Sequence, residues 1–250
     1  MLEVCVDDIA GLREALAGGA GRIELCAALA LGGLTPSAAL IGNAVRAAAP
    51  VHVLIRPRAG DFVYDAGEEA VIAADLRAAV DAGAAGVVIG ASRADGLLDT
   101  PLLARLIDVA REAARRRARP VALTLHRAFD LCTDLADGLE AAIGLGFDRV
   151  LTSGGAESAF AGRDTLRALV GQARGRIKIL AAAGIDPGNV AAILAAGVDE
   201  IHASCQVPLP PPDPRLLELG FAQATHGRAT ANSVKALASS MENWQRSRLQ

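Results

Sequence analysis

Two cysteines near the start of the sequence could hold a metal ion. Cys5 and Cys26 fall on neighbouring predicted strands with the same predicted facing. Soft thiolate ligands select Cu(I), and two of them can form a linear site. The structural alternative is a pair of small buried residues, since free cysteine is commonly buried. Cys132 and Cys205 lie in predicted loops outside this pair, and neither CxxC nor zinc-type spacing occurs.

Two arginines follow the third predicted strand. Arg56 and Arg58 share one face and are stiffened by Pro57, so their guanidinium groups could form a fork for a carboxylate or a phosphate. In the alternative interpretation each arginine pairs with Asp61 or Asp65 of the loop that follows.

A third group of residues could carry acid–base chemistry. His126 ends the fifth predicted strand and is followed by Arg127 and Asp130. The histidine could act as acid or base while Arg127 holds an anion. Glu24, just below Cys26 on the second strand, is another candidate acid or base. A histidine that is simply satisfied inside the core is the alternative for His126.

Small residues follow the later strands. Thr152-Ser-Gly-Gly155 and Ala183-Gly-Ile-Asp-Pro187 could expose backbone N–H groups at a helix N-terminus and hold an anion. Short loops also contain glycine for steric reasons alone. The candidate anion-binding residues are therefore three arginines and two serines at strand ends: Arg56, Arg58, Arg127, Ser153 and Ser204.

A recurring glycine motif positions these residues on strands. Four times a helix ends in glycine, three residues follow, and a branched apolar residue opens a strand: Gly19-Ala-Gly-Arg-Ile23, Gly83-Ala-Ala-Gly-Val87, Gly146-Phe-Asp-Arg-Val150 and Gly197-Val-Asp-Glu-Ile201. Glycine after a helix adopts the left-handed conformation that a Cβ disfavours. The motif predicts strands near residues 2–6, 22–26, 51–56, 86–90, 121–126, 149–153, 176–180 and 199–204.

Helical patterns fill the segments between these strands. Apolar residues recur at helical spacing in 8–18, 36–48, 67–82, 101–117, 134–145, 164–174 and 187–196. Thr35-Pro36, Thr100-Pro101 and Asp186-Pro187 each predict a capping residue before a first-turn proline. Eight strands that alternate with helices favour a (β/α)8 TIM barrel. The alternative, an open doubly wound sheet, should show a glycine-rich nucleotide loop, and no GxGxxG or Walker-type sequence occurs.

The last part of the chain has a different character. We expect one domain over 1–250, with the barrel core in 1–205 and a Pro-rich connector and closing helix in 206–250. The prolines between 208 and 214 predict a stiff connector. Residues 220–232 read as a loose loop, and 233–248 as the C-terminal closing helix.

One face of the predicted strands is unusually polar. Parallel strands are normally apolar on both faces, but here polar and apolar residues alternate. The apolar faces should meet the helices, so the polar side chains should point into the barrel: Glu3, Glu24, Glu200, Arg56, Lys178, His52, His126 and His202. Buried charges are costly unless paired. We therefore expect either a structural ion-pair network or a ligand, with functional residues at the C-terminal strand ends.

Composition excludes several classes of function. The net charge is −3, and the one basic run, residues 115–117, ends a predicted helix, which argues against nucleic-acid binding. No apolar run is long enough to span a bilayer, and no signal peptide is apparent. We expect a soluble cytoplasmic protein with reduced thiols.

Several stretches resemble the CutC family, known as copper homeostasis proteins. The matching stretches are Leu2-Glu-Val-Cys5, Arg22-Ile-Glu-Leu-Cys26, Gly32-Gly-Leu-Thr-Pro-Ser37, Ile55-Arg-Pro-Arg58, Gly60-Asp-Phe62 with Tyr64, Thr124-Leu-His-Arg-Ala-Phe-Asp130, Arg149-Val-Leu-Thr-Ser-Gly154 and Glu200-Ile-His202 with Ser204. The resemblance implies a (β/α)8 barrel, a cytoplasmic location, copper handling and a homo-oligomer. It also implies Cu(I) binding at the two cysteines that match Cys5 and Cys26.

Two functional hypotheses follow, together with a purely structural alternative. The first is a copper homeostasis protein that binds Cu(I) through Cys5 and Cys26. The second is an enzyme of unknown reaction on a small anionic metabolite, held by the arginines, with Glu24 or His126 as acid or base. The third is a scaffold whose function lies in its oligomer surface and which should show no pocket.

Overall fold

Eight parallel strands close into a barrel. In the computed structural model, which describes residues 1–223 and 226–248, each strand pairs with its successor and the eighth pairs with the first. The strands are β1 Leu2–Val6, β2 Arg22–Leu25, β3 Val51–Leu54, β4 Gly86–Ile89, β5 Ala122–Leu125, β6 Arg149–Thr152, β7 Lys178–Ala181 and β8 Glu200–Ala203. The closed ring confirms the TIM barrel and excludes the open doubly wound sheet.

Helices connect the strands and cover the apolar outer face of the barrel. They are α1 Ile9–Ala17, α2 Ala38–Ala44, α3 Ala66–Ala82, α4 Thr100–Arg116, α5 Leu135–Leu145, α6 Arg163–Ala173 and α7 Val190–Leu194. Within the residues described, no helix combines the length and apolar character needed to cross a bilayer.

The predicted capping residues of three helices are wrong, although Pro101 does lie in the first turn of α4. Helix α2 is capped by Ser37 and not by Thr35, because the Thr35 hydroxyl instead accepts the backbone N–H of Arg56 at 2.9 Å. Helix α4 includes Thr100 and is capped by Asp99. Helix α7 begins at Val190, because Asp186 first forms a turn with the N–H groups of the next residues.

Two glycines, one on β4 and one just after it, make room for histidines inside the barrel. A Cβ on Gly86 of β4 would lie 2.6 Å from the His52 ring, and one on Gly90, just after β4, would lie 2.4 Å from the His126 ring. Such contacts are too short for real atoms. These glycines therefore determine where the two imidazoles can lie.

The tail after the barrel is more ordered than the sequence pattern predicts. Strands β9 Gln206–Pro208 and β10 Gly227–Ala229 form an antiparallel pair, with α8 Pro214–Glu218 between them. The second of these strands falls in the segment 220–232 that we expected to be a loose loop; within that segment, residues 224 and 225 lie outside the described residues. Helix α9 Ala231–Ser247 follows and packs on α1 and α7.

Candidate functional site

A small cavity lies at the C-terminal mouth of the barrel. Its volume is about 130 Å³, and its polar or aromatic lining residues include Glu24, Arg56, Phe62, His126, Arg127 and His202. Larger clefts exist on the surface. The cleft lined by Arg111 and Arg119 lies at the N-terminal end of the barrel, opposite the mouth. TIM-barrel active sites lie at the C-terminal face, so the mouth cavity is the candidate site.

Arg56 is a buried positive charge on one side of this cavity. Its Nη1 donates to the carbonyls of Leu31 and Gly33, both at 3.0 Å, and its Nη2 donates to the carbonyl of Gly60 at 2.8 Å. The side chain is 7% exposed, and its Nε has no hydrogen-bond partner. Among residues 1–223 and 226–248, no carboxylate lies within ion-pair distance of it. Backbone carbonyls and the ring of Phe62 therefore stabilise the charge in place of a carboxylate.

His126 lines the same cavity as Arg56 and is neutral. Its Nδ1 accepts the Ala128 backbone N–H at 3.1 Å, which places the ring proton on Nε2. That Nε2 is buried without a partner in the described chain. Burial, and then the charge of Arg56, lower the pKa of His126 to about 3. Phe62 contacts both groups: its ring centroid is 4.7 Å from that of His126 and 5.0 Å from the Arg56 guanidinium.

Glu24 and His202 form the other side of the cavity. Glu24 is 5% exposed, and burial raises the pKa of its carboxyl to about 7. The nearest ion-pair atom to its Oε2 is Nε2 of His202 at 3.8 Å, which is too long for a hydrogen bond. A carboxyl with this pKa can both accept and release a proton near neutral pH.

An ion-pair network fixes His202 from below. Its Nδ1 lies 2.7 Å from Oε1 of Glu3, and Oε2 of Glu3 accepts from Nε of Arg22 at 2.5 Å. Arg22 also bridges to Glu200. Burial opposes a charge on the imidazole, but Cys5 and the acidic side chains around it raise the pKa of His202 well above its usual value. The network is the structural ion-pair alternative, placed beneath the cavity.

Two further basic residues contact Glu200 in this network. Arg149 approaches it through Nε at 3.3 Å, and Lys178 through Nζ at 3.3 Å. The Lys178 side chain is 54% exposed, because it opens β7 at the N-terminal end of the barrel. His52 has no charge to contribute, since burial lowers its pKa to about 4.

Arg58 does not reach the cavity. It turns outward, where its guanidinium pairs with Asp61 at 2.9 Å and with Glu68 of α3. Its side chain is 38% exposed and lies over the ring of Tyr64. The structure therefore does not bring Arg56 and Arg58 together as a fork. Arg58 instead pairs with Asp61 of the loop that follows, as the alternative interpretation of the sequence predicted.

Arg127 lies at the rim of the cavity and Asp130 behind it. The Arg127 guanidinium donates to Asp130 at 2.7 Å and to the Ser153 hydroxyl at 2.8 Å. Asp130 also accepts the backbone N–H groups of Ser153 and Gly155. The loop that we expected to hold a ligand's anion after β6 thus holds the protein's own carboxylate. Ser204 is half-buried just after β8, and it does not line the cavity.

The two candidate metal-binding cysteines occupy different environments. Cys5 lies beside His202, while Cys26 is fully buried among Leu54 and Val88 and its Sγ is 3.5 Å from the carbonyl of Val6. Burial, and then the nearby Glu24 carboxylate, raise the pKa of the Cys26 thiol. Two sulfur donors fit the softness of Cu(I), but Cys26 must lose its proton in an unfavourable setting.

A second group could hold a harder ion. Ligand atoms of Glu3, Glu24 and His202 lie within 4.8 Å of one another, and all three residues are buried. Both oxygens of Glu3 are already bonded, one to His202 and one to Arg22. An ion at this place would therefore compete with the ion-pair network.

Sequence reasoning missed Phe62 as a site residue and did not assign His202 to the site. The alternation along the last strand placed His202 inside the barrel, but the sequence did not show its contact with Glu24. Phe62 lies in the loop after β3, where the two-residue period no longer applies. Its proximity to Arg56 and His126 follows from the path of that loop.

Solved structures of low sequence identity share the barrel. A deoxyribose phosphate aldolase from Aeropyrum pernix matches with a TM-score of 0.61 and 14% identity, over 81% of this chain and 85% of that one. A thiamine phosphate pyrophosphorylase from Pyrococcus furiosus matches with a TM-score of 0.58 and 16% identity, over 97% and 96%. At such identity the likeness shows the fold alone.

Closer comparisons give the family. A CutC protein of Agrobacterium fabrum is 51% identical over 239 residues, covering 95% of this chain and 92% of that protein. The crystal structure of a CutC copper homeostasis protein from Streptococcus agalactiae has a TM-score of 0.75 and 29% identity, over 82% of this chain and 98% of that one. The CutC family model matches residues 1–207. The chain belongs to the CutC family.

Proposed function

We propose that this protein is an enzyme that acts on a small anionic metabolite at the mouth of its barrel. The observation that carries the proposal is Arg56, a buried guanidinium with a free Nε and no carboxylate partner among the residues described. A buried charge is costly unless it is paired. An anionic ligand in the adjoining cavity would supply the missing partner.

The rim of the cavity supports the same proposal. Arg127 is 41% exposed on its side chain, so it can meet an incoming anion before the anion reaches Arg56. Arginine presents its donors in a planar fork that matches a carboxylate or a phosphate. Glu24 faces the same cavity and supplies the acid or base.

Binding of small anions tests this function. Inorganic phosphate, pyruvate and 2-oxobutyrate would be titrated into the protein and into the variants Arg56→Gln and Arg127→Gln by calorimetry. We expect at least one probe to bind, and to bind at least about tenfold more weakly in either variant, because a charge-assisted hydrogen bond contributes about 1.5–3 kcal/mol. Arg58→Gln is the matched control and should bind like the wild type. Equal binding in all variants, or none in the wild type, would contradict the proposal.

A second candidate is Cu(I) binding, favoured by the cysteine pair and by the copper homeostasis description of the Streptococcus agalactiae relative. Cys5 on β1 and Cys26 just after the adjacent β2 are free thiols. Metal binding displaces thiol protons, so the raised pKa of Cys26 opposes Cu(I) binding there.

Competition with a Cu(I) chelator tests the second candidate. Under it, we expect tight one-to-one binding that is lost in both Cys5→Ser and Cys26→Ser, and Cys132→Ser serves as the control. Binding that is weak, or indifferent to both substitutions, would remove it.

We also propose a cytoplasmic location and self-association. The four cysteines are free, which suits a reducing compartment. Exposed apolar side chains lie together in the tail, at Leu216, Leu219 and Phe221. Sedimentation tests self-association: the wild type should be an oligomer that Phe221→Ser weakens. A monomeric wild type would contradict self-association.

A further inference from the structure

We propose that the reaction is the removal of a proton from a carbon next to a carbonyl group, in a 2-oxo acid of three or four carbons. Glu24 is the base, and His126 donates a hydrogen bond to the oxygen that becomes negative. This inference rests on the proposed function, since it assigns a reaction class to the same cavity.

The donor side of the cavity is suited to a developing oxyanion. His126 is held with its proton on Nε2 because Nδ1 accepts a backbone N–H. The Nε2–H has no partner in the part of the chain that the structure describes, and the ring lines the cavity. The charge of Arg56 helps to keep the imidazole neutral. A preorganised donor in a site of low dielectric stabilises charge that appears during the reaction.

Glu24, the proposed base, lies on the side of the cavity opposite His126. Glu24 lies on β2 next to β1, whereas His126 follows β5, which lies across the ring from β1. Glu24 makes no hydrogen bond with the residues described, and His202 approaches it no closer than 3.8 Å. A substrate between the two sides would therefore place a carbon near Glu24 and a carbonyl oxygen near His126.

The proposed step is balanced without another reactant. The Glu24 carboxylate takes the proton from carbon, and the electron pair of the C–H bond forms a carbon–carbon double bond. The carbonyl π electrons move to oxygen, where His126 donates its hydrogen bond and keeps its proton. If solvent replaces the proton on Glu24 before a proton returns to the same carbon, the result is hydrogen exchange. Delivery of the proton to another atom gives an isomer. Nothing is oxidised or reduced.

Size and charge indicate the substrate class. An apolar cavity of about 150 Å³ accepts a benzene molecule, so a cavity of about 130 Å³ has room for a molecule of similar size. Pyruvate and 2-oxobutyrate meet this limit. Their carboxylate would pair with the Arg56 guanidinium and their adjacent carbonyl would face His126, since both side chains line the same cavity and both contact Phe62.

Hydrogen exchange in D2O tests this inference. Proton NMR would follow the C3 hydrogens of 2-oxobutyrate with the wild type, Glu24→Gln and Arg58→Gln, and calorimetry would measure binding in the same samples. We expect the wild type to exchange one of the two C3 hydrogens faster than buffer does. Glu24→Gln should bind the probe but exchange it at least about 100-fold more slowly, while Arg58→Gln should match the wild type.

The outcomes separate this inference from the function on which it rests. Binding of 2-oxobutyrate without exchange above the buffer rate would overturn the inference and leave the anion site standing. Exchange that is undiminished in Glu24→Gln would overturn the assignment of the base. Failure of phosphate, pyruvate and 2-oxobutyrate all to bind would overturn both proposals.

Discussion

At the scale of single residues, Glu24 shows how the barrel interior sets chemistry. Burial raises the pKa of its carboxyl to about 7, and the negative Glu3 acts in the same direction. His202 and Arg22 oppose this shift but do not cancel it. The same environment that prepares the carboxyl for proton transfer makes its ionised form unfavourable in the folded state.

This environment predicts a pH-dependent stabilisation by Glu24→Gln. A raised folded-state pKa contributes stability that is fully present below about pH 4.5 and is lost as the pH rises through about 7. Glutamine cannot ionise, so the advantage of the variant over the wild type should be about 2–3 kcal/mol larger at pH 8 than at pH 5. Urea unfolding at both pH values measures this difference.

Glu140→Gln is the control for that substitution. Glu140 is exposed and paired with Arg176, which lowers the pKa of its carboxyl to about 2. Its variant should show no gain at pH 8 over pH 5. A Glu24→Gln variant that behaves in the same way would contradict the raised pKa of Glu24.

At the scale of elements, the ion-pair network joins β1, β2 and β8. Arg22 on β2 bridges Glu3 on β1 and Glu200 on β8, and all three side chains are at most 4% exposed. Arg58 also bridges two acids, Asp61 and Glu68, but at the surface. The two arginines therefore form a natural comparison between a buried bridge and an exposed one.

We expect Arg22→Gln to destabilise the fold by about 3–5 kcal/mol, because it leaves two buried carboxylates short of a partner. Arg58→Gln should change the free energy of unfolding little, since solvent screens the exposed pairs. Urea unfolding of both variants at pH 7 provides the comparison. Similar losses in the two would mean that the network does not stabilise the strands.

The sequence pattern predicts the elements better than the site. The glycine motif predicts the junctions correctly, since Gly83 and Gly146 both adopt left-handed conformations at helix ends. Alternation along the strands correctly predicts that Glu24, His126 and His202 are buried. Alternation fails for Arg58, because this residue lies beyond the end of β3, where the two-residue period no longer applies. The position of its partner Glu68 depends on where α3 begins. Long-range partners of this kind have no signature in local sequence.

At the scale of the whole molecule, α9 closes the outer ring of helices between α7 and α1. Val234, Leu237 and Met241 form its buried face, and a Cβ on Gly18 would lie 2.4 Å from Val234. We propose that residues 1–250 fold as one unit because this helix covers barrel surface that would otherwise be exposed.

Truncation of the α9 face tests this proposal. Leu237 is 1% exposed, so Leu237→Ala should cost about 2–5 kcal/mol of unfolding free energy in a single transition. Val71→Ala, at a side chain 49% exposed on α3, is the control and should have little effect. Independent melting of the tail would contradict a single folding unit.

The measurement that tests the central claim most directly is a crystal structure of the reduced protein with bound 2-oxobutyrate. We expect the ligand in the mouth cavity, with a carboxylate oxygen within hydrogen-bond distance of Arg56 Nε and its carbonyl oxygen near His126 Nε2. The C3 atom should face Glu24. A ligand bound elsewhere, with Arg56 still lacking an anionic partner, would contradict the assignment of this mouth as an anion-binding acid–base site.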